Sequence, residues 1–218
     1  MRGPFPDKMG PLFIALSIAS VSIAYLFLHI DGMMSLFLLS LPVSYIVLGS
    51  LIKYGDQAYD VGCFDRRKAL ALSFPSGIWL GYMMINDMAT ATIGLGMLIG
   101  LLLAGKYDNR GFIVGFLIAI VMAAAGILEG SLQFSLGGAA LLVAATFIDE
   151  RANDIEGVDD LETWWHWALH QRPFLKMAVL GLCAIGVFPS FAYLFMLLSF
   201  DFGYSLVDCV SAGRSGRP

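Results

Sequence analysis

An all-α fold, a polytopic membrane bundle of about seven transmembrane helices plus one interfacial helix, is what this sequence predicts, on three observations. Of its 218 residues 58% are hydrophobic and 14% charged, whereas a soluble domain carries about 25% charged residues. The apolar residues gather into seven runs, most of them long enough to cross a hydrocarbon core of about 30 Å. The basic residues alternate with those runs: with the amino terminus on one side, 11 of the 13 lysines and arginines fall on that same side. Basic loops mark the cytoplasmic face, so that side is expected to be cytoplasmic.

A short polar leader, residues 1–10, carries Arg2 and Lys8. The first run, 11–30, is too long for a cleaved signal and is expected to span. His29, Asp31 and Gly32 mark a turn before the second run, 33–52, in which Pro42 removes a backbone donor and predicts a kink. Residues 53–68, KYGDQAYDVGCFDRRK, form the first polar loop. The third run, 69–86, contains FPSG, and Asp87 turns the chain into the fourth, 88–104. A short loop, 105–110, leads to the fifth run, 111–128, and Glu129 to the sixth, 131–148. A long polar connection, 149–173, precedes the seventh run, 174–200, which has Pro189 in its middle. Within that connection Trp164, Trp165 and Trp167 suit an interfacial helix. Glu162, His166 and His170 share one of its faces, and a membrane anchor accounts for the segment better than a metal face does. Residues 201–218 are expected to be a polar tail outside the single membrane domain, 11–200. Glycine pairs four apart, at 77 and 81, 96 and 100, and 111 and 115, predict close helix packing within the chain.

A net charge of −4 without a basic patch excludes nucleic acid as a partner. Cys63, Cys183 and Cys209 are far apart and form no disulfide framework or CxxC site. The chemistry-bearing residues gather instead in the loops on the basic side. Asp56 and Asp60 are four apart, which on a continuing helix places two carboxylates on one face, about 5–6 Å apart at Cβ. That arrangement suits a hard cation such as Mg²⁺, which takes one or two carboxylates and leaves its other positions to water and phosphate. Asp65 is either a further ligand or a partner of Arg66 or Arg67. A second acidic stretch, DERANDIEG at 149–157, offers Asp149, Glu150 and Asp154, with Glu150 also placed to pair with Arg151. The expectation is that both stretches face one divalent cation at the mouth of a lipid-accessible cavity. Lys106, Asn109, Arg110 and Arg66 lie beside it in sequence, and such cations suit phosphate oxygens.

In these residues the chain resembles the UbiA superfamily of intramembrane prenyltransferases, as a short, divergent member. GDQAYD at 55–60 with Asp65 occupies the place of the family's first aspartate-rich motif, NDIEG at 153–157 is similar to its second, and KYDNRGFIVGF at 106–116 resembles the segment after its fourth helix. The first motif's gaps are longer by one residue here, Gly55 replaces its leading asparagine, and Arg151 stands where the second motif has an aspartate. The resemblance implies that Asp56, Asp60 and Asp154, with Asp65, Asp149 or Glu150, hold Mg²⁺, and that Lys106, Arg110, Asn109 and Arg66 hold the diphosphate. It implies membrane lipids and an isoprenyl diphosphate as partners, with transfer of the prenyl group to a lipid or aromatic acceptor. A cation or small-solute transporter and a catalytically inactive scaffold are the alternatives. Runs almost free of charge weigh against conduction, because transport paths usually carry ionisable groups within the spans.

Overall fold

The computed structural model describes residues 9–107, 109–153 and 172–214. They form eight helices: α1 Gly10–Ile30, α2 Leu36–Asp56, α3 Arg66–Asn86, α4 Met88–Ala104, α5 Arg110–Leu128, α6 Leu136–Asn153, α7 Pro173–Ala184 and α8 Ala192–Arg214. Polar residues at the starts explain several boundaries. Ser35 accepts from the Leu38 N–H at 3.2 Å, Asp65 from Arg67 at 2.7 Å, Asp87 from Thr90 at 2.7 Å and Asn109 from Phe112 at 2.7 Å. Each satisfies donors that the first helical turn leaves without a partner. Beyond Asp56, α2 widens into a π-helical turn, Gln57–Val61, which ends at Gly62 in the left-handed region.

The expected seventh span is two helices. The chain leaves α7 through Gly186, at φ +76°, passes Pro189 and starts α8 at Ala192. A left-handed backbone followed by a proline cannot continue a helix. The expected polar tail is corrected by the same change, since 201–214 are the second half of α8. Asp201, Ser205, Asp208 and Ser211 recur at helical spacing and are all buried. Among the described residues four helical segments are long and apolar enough to cross a membrane: Gly10–Ile30, Leu36–Val61, Arg110–Leu128 and Ala192–Arg214. Seven such spans are not supported. Met88–Ala104 and Pro173–Ala184 are shorter apolar helices, and α3 and α6 do not combine the length and the composition. The interfacial helix expected around Trp164 lies outside the described residues.

The bundle is assembled from tight pairs: α2 with α8, α1 with α8, α3 with α5, and α4 with α6. Glycine permits the closest of these. A Cβ on Gly203 would lie 2.5 Å from the Ile46 carbonyl oxygen, and one on Gly77 2.5 Å from that of Gly115. The expected glycine pairs thus pack helices of one chain against each other. The main apolar cluster draws mostly on α1, α2, α7 and α8, with Met83, Ile93 and Leu142 added from α3, α4 and α6; Leu41, Leu48, Leu175, Val179, Met196 and Leu197 are among its buried members.

Two polar ends flank this cluster. At the far end the Tyr193 hydroxyl donates to Asp87 at 2.7 Å and Tyr45 donates to Thr90 at 3.2 Å. At the near end α8 returns beside the α2–α3 connection, with Arg214 5.2 Å from the Phe64 ring centroid. The near end therefore gathers the end of α2 and the starts of α3 and α5.

Candidate functional site

The near end opens in a cleft of about 570 Å³ lined by Tyr59, Asp60, Arg66, Arg67, Leu70, Asn109 and Arg110. Local sequence places each wall. The π-helical turn carries Tyr59 and Asp60 past the end of α2, and the Gly62 turn lets the chain reverse into Asp65. With Asp65 capping α3, Arg66 and Arg67 fall in its first turn. Arg66 donates through Nε to the Ala58 carbonyl at 3.2 Å and through Nη2 to Tyr59 at 3.0 Å, and lies 5.7 Å from the Tyr59 ring centroid. It thereby satisfies carbonyls at the end of the widened helix. Asn109 caps α5 with its oxygen and donates its amide to Asp56 Oδ1 at 3.1 Å. Among the described residues three guanidinium groups share the cleft wall with one carboxylate, which makes that wall electropositive.

A narrow apolar slot of about 50 Å³ lies between α2, α3 and α5. Gly55, Ala69, Ser73, Gly111, Phe112 and Gly115 are among the residues that line it. The first turns of α3 and α5 therefore contribute to both the charged cleft and the apolar slot.

Behind Asn109 lies a buried polar network. Tyr204 donates to Asp56 Oδ2 at 3.3 Å and receives Lys53 Nζ at 3.4 Å. Lys53 is 3.2 Å from Asp208 Oδ1, which also accepts from Gln57 Nε2 at 2.8 Å. The Tyr204 ring carries Lys53 at 4.6 Å and Arg172 at 5.2 Å from its centroid. Arg172 pairs with Glu150 at 3.1 Å and lies 3.8 Å from Asp201, whose other oxygen is 2.7 Å from Lys176 Nζ. The network ends toward the bundle centre, where the apolar cluster of Leu48, Leu175, Met196 and Leu197 begins.

Several expected metal ligands are committed to other partners. Asp65 accepts from the Arg67 and Lys68 N–H groups, which hold its carboxyl below the usual carboxylate range. Asp149 accepts from the Phe174 and Leu175 N–H groups at 3.1 and 2.8 Å, capping α7 from across the α6–α7 junction. Arg172, at φ +49° before α7, offers no side-chain cap of its own. Burial pushes Asp149 up to about 6, against the opposing pull of those N–H groups and of Arg172. Glu150 pairs with Arg172 and Asp56 with Asn109 and Tyr204.

Among the described residues, the Tyr204 ring and Arg172 stand between Asp56 and Glu150, with Lys53 beside Tyr204. Lys53 and Arg172 are the cations that lie beside these carboxylates. Among the described residues no group of three His, Cys, Asp or Glu side chains is arranged to hold a metal. The expected Mg²⁺ set therefore does not fit the described residues. Asp154, the remaining expected ligand, lies outside them. Of the expected diphosphate contacts, Arg66, Asn109 and Arg110 line the cleft, and Lys106 does not.

Sequence reasoning missed Tyr59 and Arg67 in the cleft and Lys53, Arg172, Lys176, Asp201, Tyr204 and Asp208 in the network. The 201, 204, 208, 211 spacing of α8 was the available signal, since it repeats every three to four residues. It also corrects the expectation of spans almost free of charge: Lys53, Asp56, Asp201 and Asp208 all lie in helical segments long and apolar enough to cross a membrane.

No family model matches the chain, and no curated protein or solved structure matches it.

Proposed function

We propose that this is a multi-pass membrane protein that binds an isoprenyl diphosphate with its charged head in the near-end cleft and the start of its chain against the apolar slot. The observation that carries this is that the first turns of α3 and α5 contribute residues to both an electropositive cleft and an apolar slot. An amphiphile with a phosphate head matches both chemistries, whereas a soluble anion uses only one. Guanidinium groups suit phosphate because they donate two parallel hydrogen bonds and stay charged.

Prenyl transfer is the reaction this reading allows. The allylic C–O bond breaks, its electron pair leaves with pyrophosphate, and the cleft's guanidinium groups stabilise the departing charge. The allylic carbon then bonds to an acceptor nucleophile, which loses a proton. The near end is assigned to the cytoplasmic side, because Arg66, Arg67, Lys68, Lys106 and Arg110 lie there and α8 brings Arg214 back to it.

The test is equilibrium binding to purified protein in detergent, with farnesyl diphosphate, pyrophosphate and farnesol compared. Farnesyl diphosphate is expected to bind more tightly than either half alone. Equal affinity for pyrophosphate and farnesyl diphosphate overturns the two-part site. A second reading, cation transport, is favoured by the ionisable residues within α2 and α8. Ion flux into liposomes, abolished by Asp201→Asn, would establish it in place of the first. The apolar cluster beyond Lys176 and Asp201 counts against a continuous path.

A further inference from the structure

Resting on that reading, we infer that the cleft holds the phosphate head through guanidinium groups, without a divalent cation bridging head and protein. Charge balance is the first reason. Among the described residues Arg66, Arg67 and Arg110 line the cleft with Asp60, an excess of positive charge that attracts a phosphate and repels Mg²⁺. Commitment of the neighbouring carboxylates is the second. Asp56, the nearest one behind the wall, accepts from Asn109 and Tyr204 and is flanked by Lys53. Asp65 and Asp149 cap helices, and Glu150 is held by Arg172. Recruiting any of these to a cation costs an existing cap or ion pair.

The third reason is the state of the arginines. All three arginines are exposed at the first turns of α3 and α5, and Arg66 is in addition anchored by two carbonyls. The helices that carry these exposed guanidinium groups are joined by glycine contacts, so their Cα positions are held while the side chains reach into the cleft toward an incoming phosphate. Asp60 is a competitor for those groups, so a bound head displaces negative charge from the cleft.

Affinity for farnesyl diphosphate, and separately for inorganic pyrophosphate, is measured on the full chain with Mg²⁺ and with EDTA. Arg67→Gln, Arg110→Gln and Asp60→Asn are compared with wild type, and thermal unfolding of each checks the fold. Binding is expected to persist in EDTA. Each arginine substitution should weaken it about ten- to a hundredfold, the effect of losing a charge-assisted hydrogen bond. Asp60→Asn should strengthen it, and Arg110→Lys should recover part of the loss. Binding that EDTA abolishes, or that Asp60→Asn weakens, overturns the inference. Pyrophosphate bound without Mg²⁺ but no tighter farnesyl diphosphate binding supports the inference and sinks the isoprenoid reading. Failure of both ligands to bind sinks both.

Discussion

The contact between α2 and α8 makes the sharpest prediction about what holds the site together. A Cβ at Gly203 would sit 2.5 Å from the Ile46 carbonyl oxygen and 2.9 Å from Ser50 Oγ, where ordinary contact begins at 3.4 Å. The shortfall against the backbone is about 0.9 Å, and a carbonyl within a helix cannot swing away, so the helices must separate. Overpacking of this kind costs about 1–3 kcal/mol. Alanine in a helix recovers up to about 1 kcal/mol relative to glycine. With the overpacking at the upper end of its range, the expected net loss for Gly203→Ala is about 2 kcal/mol. At Gly55, by contrast, an added Cβ meets nothing within 4 Å, so Gly55→Ala should be neutral or stabilising by up to about 1 kcal/mol. Thermal unfolding in one detergent distinguishes them. Because Gly49 faces the Phe200 backbone in the same seam, Gly49→Ala combined with Gly203→Ala should lose less than the two single losses added. Gly203→Ala as stable as Gly55→Ala would refute the close-packed seam and the depth it gives Asp208.

Two further predictions concern the network. Removing one member of the Lys53–Asp208 pair leaves an almost fully buried charge, so Lys53→Met should destabilise by about 3–5 kcal/mol, and adding Asp208→Leu should recover much of the loss; unfolding of the single and double variants measures it. Asp149 has a folded-state value near 6, above its unfolded 3.8, so the folded protein binds the extra proton between the two. Its contribution to stability is therefore full below about pH 4 and falls as pH rises through about 6. Asp149→Asn should flatten that part of the stability profile, and melting temperatures across the interval decide it; an unchanged slope assigns the titration elsewhere.

Apolar length made most helices legible. The fourth run, 88–104, coincides with Met88–Ala104, and 111–128 differs from Arg110–Leu128 by one residue. Hydropathy could not resolve the region after α6. Residues 174–200 read as one run because Gly186 and Pro189 interrupt backbone geometry without lowering apolarity, and 201–214 read as a tail because α8 buries acids there. The cleft was half legible: Arg66, Asn109 and Arg110 were picked for their charge or hydrogen-bonding capacity and do converge. The metal set was not legible, for a physical reason. An aspartate at a helix junction is equally suited to a cation and to backbone N–H groups, and only geometry shows that Asp65 and Asp149 serve the latter.

Photocrosslinking tests the two-part site most directly. A diphosphate bearing a photoreactive group on its first isoprene unit is bound to the purified protein, irradiated and mapped by peptide sequencing. Adducts are expected on the slot residues of α3 and α5, such as Ala69, Ser73 and Phe112. Pyrophosphate should compete them away, and Gly55→Leu, which fills the slot from α2, should reduce them. Adducts confined to the outer faces of α1 or α4, insensitive to pyrophosphate, would contradict the account.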